Sequence, residues 1–302
     1  MKPRQTKRRQ FLRTGALGLA AAAGQNAGLL RAQPLGLPIG LELFTVRNEC
    51  GQDLPGTLAK VAAIGFKEVE VFDFYGRKPS ELRRILSSAG LVAPSCHTLS
   101  YVLSAREQLS EVRARWDKLI AEAAELGAHY LGGSIGGISA VNPLDDYKRV
   151  ADLMNAVGEQ CRTAGLQYAY HNLNVEFREY AGVVPYDWLL AHTDAQSVQL
   201  EIDCYWLTRA GRNPVEYFRN YPRRTPLLHV KDRKPGYPPA TTPDAGPGPF
   251  TEVGHGSIAW KPIFAAASGG GLKHYYVEQD FFDRPVLESI KMSYDYLENL
   301  KL

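Results

Sequence analysis

The chain has 302 residues, of which 45% are hydrophobic and 22% are charged, and its formal net charge is +3. This composition is typical of a globular protein and argues against a largely disordered or membrane-embedded chain. The first thirteen residues contain six Lys or Arg and no acid, so the remaining residues carry a slight acidic excess. A nucleic-acid groove needs a strong basic patch, which this charge balance does not provide.

The N-terminal segment predicts export. Arg8 and Arg9 precede a mildly apolar stretch, rich in Ala and Gly, that runs to about Leu30. The stretch is too short and too rich in Gly for a spanning helix, and Ala32 is a small residue suited to cleavage. The pattern resembles a twin-arginine signal peptide over residues 1–32, which implies a periplasmic protein, exported folded and free of the membrane after cleavage. An uncleaved anchor or a disordered basic tail is the alternative.

After the signal, short β-like runs alternate with longer helical segments, as expected for βαβ units in a parallel sheet. Eight such units over roughly 265 residues match a single-domain (β/α)8 TIM barrel, an α/β fold, over residues 38–302. An open, doubly wound sheet is the alternative, but no G-x-G-x-x-G follows the first strand. The predicted strands are Ile39–Val46, Glu68–Phe72, Val92–His97, Tyr130–Ser134, Gln167–His171, Val198–Asp203, Leu227–Lys231 and Tyr275–Gln279.

Apolar stripes at three- and four-residue intervals predict the intervening helices. One spans Ser104–Leu126, with Ser104 and Glu107 at capping-box spacing. Another begins at Asn142 and Pro143, because Asn can cap a helix and Pro fits its first turn. Similar patterns predict helices over Thr57–Ile64, Ser80–Ala89 and Val286–Leu297.

The four cysteines have no C-x-x-C spacing, so they do not encode a zinc knuckle. Cys96 and Cys204 lie in apolar runs, which predicts that they are buried thiols. The segment Lys234–His255 follows the seventh strand and is rich in Pro and Gly. Long βα loops in barrels lie over the C-terminal mouth, so this segment is a candidate lid, with a tolerated surface insertion as the alternative.

Polar side chains close the last four predicted strands. His171, Asp203, His229 and Glu278 are 32, 26 and 49 positions apart, and each interval is about one βα unit once Lys234–His255 is left out. Catalytic groups of barrels project from the carboxyl ends of strands, so we expect these four at one rim. Two imidazoles and two carboxylates suit Mn²⁺, Zn²⁺, Co²⁺ or Fe²⁺ better than Ca²⁺ or Mg²⁺. Taken singly, His229 could be a rim histidine and Asp203 a helix cap.

Four ordered runs are similar to those of the xylose-isomerase-like barrels known as sugar phosphate isomerases/epimerases. The resemblance covers essentially the whole chain after the signal, and it implies one divalent metal held by His171, Asp203, His229 and Glu278. The family usually has Glu where His171 stands, and an Asp often precedes the Trp where this chain has Ala259. The runs are Tyr170–Phe177, Leu200–Trp206, Leu228–Arg233 and Val253–Trp260.

The histidine at the end of strand five changes the chemistry that the resemblance implies. Isomerases and epimerases of this type use two carboxylates, one on each face of the carbon that loses its proton, and here only Glu278 remains. His171, with a reference pKa of about 6.5, could act as a base, but not while its lone pair is donated to a metal. Glu278 and His171 are therefore the catalytic candidates, and whether His171 is a ligand or a base stays open.

Three other inward-facing residues are candidates for binding substrate. Glu70 lies on strand two, His97 ends strand three, and Lys231 shares a face with His229 because residues two apart on a strand point the same way. Each could equally be structural. The aromatic side chain of Trp206 could pack against a sugar ring.

These observations predict a divalent-metal-dependent sugar isomerase or epimerase that acts on a free sugar, ketosugar or sugar derivative by metal-assisted proton transfer. Export makes a phosphorylated metabolite a poor substrate. Because one carboxylate of the pair is absent, β-elimination from a keto-glycoside is a serious rival. A non-catalytic sugar-binding subunit and a metal-dependent nuclease are further alternatives. The expected partner is a small sugar and not a nucleic acid, and a homo-oligomer is left open.

Overall fold

The fold is described from a computed structural model, which covers residues 33–243 and 247–302. The predicted signal peptide, residues 1–32, lies outside the described residues. Among the helices that are described, none is both long enough and apolar enough to cross a membrane.

Eight parallel strands form a closed barrel, which confirms the predicted fold class. The strands are β1 (Ile39–Glu42), β2 (Glu68–Val71), β3 (Val92–Cys96), β4 (Tyr130–Gly133), β5 (Gln167–His171), β6 (Val198–Asp203), β7 (Leu227–Val230) and β8 (His274–Val277). Each strand pairs with its neighbours in chain order, and β8 pairs with β1 to close the barrel. The bounds of β5 and β6 agree with the predicted ones. The first strand was predicted too long, because a 3₁₀ turn over Leu43–Val46 follows Glu42.

Ten α-helices are present in the described part of the chain, and their apolar stripes pack around the barrel. They are α1 (Arg47–Gln52), α2 (Leu54–Ile64), α3 (Pro79–Ser88), α4 (Leu109–Leu126), α5 (Pro143–Thr163), α6 (Pro185–His192), α7 (Cys204–Arg209), α8 (Pro214–Asn220), α9 (Trp260–Gly270) and α10 (Val286–Glu298).

The interior of the barrel contains a small apolar layer beneath a polar one. Ala169, Leu227 and Tyr276 form a separate buried cluster. Each lies two positions before a polar residue predicted for the site, and residues two apart on a strand point to the same side of the sheet. The apolar layer therefore supports the polar side chains at the carboxyl ends of the strands from below.

Two predicted helix caps need correction. Helix α4 begins at Leu109 and not at Ser104, because Gln108 and Glu111 form the capping box. Ser104 lies instead in a two-residue strand, and its amide donates to Glu107. Helix α5 has the predicted Pro in its first turn, but the Asn142 side chain does not cap it. Capping-box spacing alone did not distinguish two consecutive candidates whose first residues, Ser104 and Gln108, are four positions apart.

The long segment after β7 is held by hydrogen bonds at both ends. Asp232–Arg233 pairs with Phe250–Thr251 as a short antiparallel hairpin. The Asp232 carboxylate accepts hydrogen bonds from the Gly254 and Ile258 amides and from the Trp260 indole. The described residues of Lys234–His255 do not line the cavity at the barrel mouth, and its role as a lid stays a prediction.

All four cysteines lie within the described residues, and all are buried and free. The prediction of buried thiols at Cys96 and Cys204 is confirmed.

The turn after β5 contains a buried carboxyl group that was not predicted. Glu176 accepts hydrogen bonds from the Tyr170 hydroxyl and the Leu173 amide, each at 3.2 Å. Burial outweighs these hydrogen bonds and raises the pKa of Glu176 from 4.5 to about 7. Glu176 binds its proton more tightly in the folded protein than in the unfolded chain. Protonation of Glu176 therefore stabilises the fold: this contribution is complete below pH 4.5 and is lost as the pH rises through 7.

We expect the free energy of unfolding to fall by about 2–3 kcal/mol between roughly pH 5 and 8 because of Glu176. Glu176→Gln cannot ionise and should lack this part of the pH dependence. Urea titrations in the presence of a chelator would measure it, with Glu179→Gln, an exposed neighbour, as the matched control. If the free energy of unfolding fell equally with pH in wild type and Glu176→Gln, Glu176 would not be the group responsible.

Candidate functional site

The ends of four adjacent strands bring the predicted rim residues together. His171 and Asp203 are the last residues of β5 and β6, His229 lies within β7, and Glu278 directly follows β8. Asp203 and His229 are register partners, so they stand at the same height on the barrel wall. All four side chains are buried. The arrangement follows from the parallel barrel, whose strands all end on the same face.

Four donor atoms, one from each of these residues, lie within 4.8 Å of one another. His229 Nδ1 is 2.8 Å from Glu278 Oε2 and 3.2 Å from His171 Nε2. Asp203 Oδ2 is 3.5 Å from His171 Nε2 and 3.8 Å from His229 Nδ1. We call these four residues the donor cluster.

The chemistry of the donor cluster fits one divalent transition metal. Asp203 Oδ2 and Glu278 Oε2 are buried and make no well-formed hydrogen bond. The nitrogens of His171 and His229 face each other, so their lone pairs need a proton or a cation between them. Two imidazole nitrogens and two carboxylate oxygens are ligands that borderline metals accept.

Asp203 caps a helix with one carboxylate oxygen and lies in the donor cluster with the other. Its Oδ1 accepts a hydrogen bond of 2.9 Å from the Trp206 amide and caps helix α7. Its Oδ2 belongs to the donor cluster. The helix cap therefore fixes the side chain in the orientation that directs the second oxygen to the cluster.

His171 presents one nitrogen to the cluster and the other to a serine. Its Nδ1 is 3.4 Å from the Ser134 hydroxyl, which is 3.3 Å from His97 Nε2. Burial, together with the nearby His97 and His229, lowers the pKa of His171 to about 4, so its imidazole is neutral near pH 7. A neutral ring with Nε2 directed at three other donors has the geometry of a metal ligand rather than of a free base.

A second layer of acids lies beneath His229. Its Nε2 is 2.6 Å from Glu70 Oε2 and 3.3 Å from Glu201 Oε1. Burial lowers the pKa of His229, but the carboxylates of Glu201 and Glu278 outweigh burial and hold that pKa well above its usual value. Glu70 was predicted to bind substrate, but it is fully buried and lies outside the cavity lining. Its contact is with His229, and this contact orients the imidazole.

Glu201 connects this layer to His97, and a glycine makes room for both. Glu201 Oε2 is 3.2 Å from His97 Nδ1. A Cβ at Gly132 would lie 2.5 Å from Glu201 Oε2 and 3.0 Å from His97 Cβ, so a larger residue would displace one of them. Glu201 lies two positions before Asp203, and this spacing was the sequence signal for an inward carboxylate below the rim.

Lys231 places one positive charge among carboxylates. Its Nζ is 2.9 Å from Glu278 Oε2, 2.9 Å from Asp280 Oδ1 and 3.5 Å from Asp203 Oδ2. Burial lowers its pKa, but these three acids outweigh burial and raise that pKa well above its usual value. Lys231 thus remains an ammonium group within reach of the donor cluster.

Besides Glu201, two acids that line the cavity were not predicted. Glu42 is the last residue of β1. Because the first strand was predicted to continue to Val46, Glu42 did not stand out as a polar residue at a strand end. Asp280 follows Glu278 by two residues, and burial raises its pKa to about 6 despite the opposing charge of Lys231.

Three members of the donor cluster, His171, His229 and Glu278, lie at the floor of a cavity of about 160 Å³ that opens to solvent. His97 and Lys231 also line it, and Ser134, Glu42 and Asp280 add further polar groups. Its outer wall is apolar and is formed by Phe44, Phe72, Leu99, Val102, Leu173 and Trp206.

Fold and donor cluster together define a TIM barrel with a candidate metal site at its carboxyl-terminal mouth. The chain belongs to the xylose isomerase-like TIM barrel family, whose model matches residues 58–299. An inosose dehydratase from Lacticaseibacillus casei is 26% identical over 240 residues, which cover 72% of this chain and 79% of the relative.

Solved structures agree with this family. A sugar phosphate isomerase/epimerase from Parabacteroides distasonis has a TM-score of 0.75 and 26% identity, covering 87% of this chain and 94% of the other. The IOLI protein, whose structure includes a zinc atom, has a TM-score of 0.66 over 86% of this chain and 96% of its own. At 11% identity this second likeness concerns the fold alone.

We expect Glu70→Gln to weaken the binding of Mn²⁺ or Zn²⁺ by about 10- to 100-fold, the range for partners that orient a ligand histidine. Titration calorimetry of the metal-free protein would measure the change. Glu68→Gln is the matched control, because Glu68 lies on the same strand but pairs with His274 at the opposite end of the barrel. Equal affinities for Glu70→Gln and wild type would refute the orienting role.

Proposed function

We propose that this protein is a divalent-metal-dependent enzyme that removes a proton beside the carbonyl of a ketosugar or sugar derivative and then eliminates the neighbouring substituent. The observation that carries the proposal is the donor cluster at the floor of an open cavity, with the Lys231 ammonium 2.9 Å from the Glu278 carboxylate. Proton removal beside a carbonyl requires a base and a means of stabilising negative charge, and the cavity floor offers groups for both tasks.

His171, Asp203, His229 and Glu278 would hold the metal. When bound, the ion would act as a Lewis acid toward a carbonyl or hydroxyl oxygen of the substrate. Glu278 is the proposed base, because a carboxylate has two oxygens and one can accept a proton while the other faces the donor cluster. His97 and Ser134 line the same cavity and can hydrogen-bond substrate hydroxyls.

Lys231 favours elimination as the second step. The C–H bond breaks toward Glu278, its electron pair forms a C=C bond, and the C–O bond to the substituent breaks. The leaving oxygen takes a proton from Lys231, which lies beside Glu278 and thus on the same side of the substrate. The name dehydratase, carried by the relative from Lacticaseibacillus casei, denotes an elimination of this type.

Isomerisation or epimerisation is the second candidate function. It begins with the same proton removal but returns the proton to another carbon or the opposite face, which calls for a second acid or base. The similar structure from Parabacteroides distasonis, named a sugar phosphate isomerase/epimerase, favours this candidate. The histidine at the end of β5, where the family resemblance implies Glu, argues against it.

The carboxyl groups of the cavity suit the hydroxyls of a sugar. Glu42, Glu278 and Asp280 line it, and Lys231 is engaged by two of them. Sugar hydroxyls can donate hydrogen bonds to carboxyl oxygens.

To test the reaction, the Mn²⁺-loaded protein would be incubated in deuterated water with a 3-keto-glucoside and, separately, with a free ketose. Elimination predicts release of the alcohol from the keto-glucoside and a conjugated enone that absorbs ultraviolet light. Deuterium in recovered substrate or isomer, without loss of the substituent, would instead support the second candidate. No exchange and no release would leave a sugar-binding protein and overturn both.

The control for this experiment is Asp203→Asn, which removes a charged donor but keeps an oxygen for the cap of α7. We expect it to lose stoichiometric metal and turnover while its circular dichroism spectrum matches wild type.

Export to the periplasm is proposed from the sequence, and it agrees with a glycoside or free sugar as substrate. We expect the protein from the periplasm to begin near Gln33 by mass spectrometry. Replacing Arg8 and Arg9 by Lys should retain the longer chain in the cytoplasm, because a twin-arginine signal depends on both residues. Unchanged export of this variant would exclude that route.

A further inference from the structure

The cavity is divided chemically into a polar floor and an apolar outer wall. The floor carries His171, His229 and Glu278 of the donor cluster together with Lys231. The wall consists of apolar side chains that follow five different strands, so it does not result from a single apolar segment. The residues of the wall are Phe44, Phe72, Leu99, Val102, Leu173 and Trp206.

A free sugar does not complement such a wall. A sugar ring can lay one face on an aromatic side chain, but its hydroxyls project around the rest of the ring. A hydroxyl pressed against an apolar wall loses its hydrogen bonds to water without replacement. A monosaccharide can therefore use the floor, and the wall needs an apolar group attached to it.

One side of the wall is exposed at Leu99, and the other side is held in place by contacts of Phe44. Leu99 is 74% exposed, which is unusual for a large apolar side chain at the mouth of a cavity. Phe44 and Phe72 pack edge to face with ring centroids 4.8 Å apart. The Arg47 guanidinium lies 4.0 Å from the Phe44 centroid and donates to the Asp280 carbonyl, which fixes that side of the wall.

A second cavity lies beside the first one. It has a volume of about 170 Å³ and shares Phe72, Thr98 and Leu99 with the first cavity. Its remaining lining is mixed, with apolar Phe74 and Leu119 and polar Asp73, Ser100 and Glu122. The apolar surface that a ligand on the floor would meet is therefore Phe72 and Leu99, which both cavities share.

We propose that the apolar wall is an aglycone subsite, and that the substrate is a glycoside whose aglycone is a flat aromatic group. This inference rests on the proposed function, because it assumes that the sugar part sits on the donor cluster. It identifies the substituent that is eliminated: the aromatic alcohol, whose C–O bond breaks and whose oxygen takes the proton from Lys231.

The test compares two stable probes, phenyl β-D-glucopyranoside and methyl β-D-glucopyranoside, by titration calorimetry on the Mn²⁺-loaded protein. The phenyl glycoside should bind at least about tenfold more tightly, since a buried aromatic ring contributes that much through apolar area. Leu99→Ser should reduce this preference severalfold. Val92→Ser is the matched control, because Val92 is 57% exposed at the amino-terminal end of β3, on the opposite face of the barrel.

Equal binding of the two probes, or no binding of either, would overturn the subsite. A phenyl preference that Leu99→Ser leaves unchanged would also overturn it, because the ring would then bind elsewhere. The measurement does not depend on turnover. A phenyl preference without reaction in deuterated water would contradict the proposed elimination alone, and a reaction on ketosugars without a phenyl preference would contradict the subsite alone.

Discussion

Four buried donor atoms converge at the mouth of the barrel. Their negative charges and lone pairs repel one another, and the need to compensate this repulsion determines the rest of the site. Carboxylate oxygens of Asp203 and Glu278 and the nitrogens of two histidines meet within 4.8 Å, and two of these atoms make no well-formed hydrogen bond. Such an arrangement is costly in a low-dielectric interior unless a cation is shared. Lys231 neutralises part of the charge, and the donor set suits a metal for the remainder.

The barrel supports this cluster from beneath and from the side. An apolar layer, formed by Ala169, Leu227 and Tyr276, lies under the polar groups at the carboxyl ends of the strands. Between the two layers, Glu70 and Glu201 hold the far nitrogen of His229. The orientation of His229 thus depends on β2, which contributes nothing to the donor cluster, and on β6, which also carries Asp203.

The cavity above the cluster joins two kinds of chemistry. Its floor is charged and suits the oxygens of a sugar, whereas its wall is apolar and comes from residues that follow five different strands. Membership of the xylose isomerase-like family accounts for the barrel and the position of the floor. The wall determines which sugar derivatives the site can select, because a selective site needs a surface complementary to each part of its substrate.

The sequence by itself determined the eight-strand barrel and the four donors, because strand periodicity and polar strand ends are local signals that recur once in each βα unit. Only the tertiary structure decided that Glu70 lies below His229 rather than on the cavity and that Glu42 joins the site. It also decided that Asp203 uses one oxygen for a cap and the other for the donor cluster. The alternation along a strand fixes which side chains point inward. The depth at which each one ends depends on the stagger of the closed barrel, which no single segment encodes.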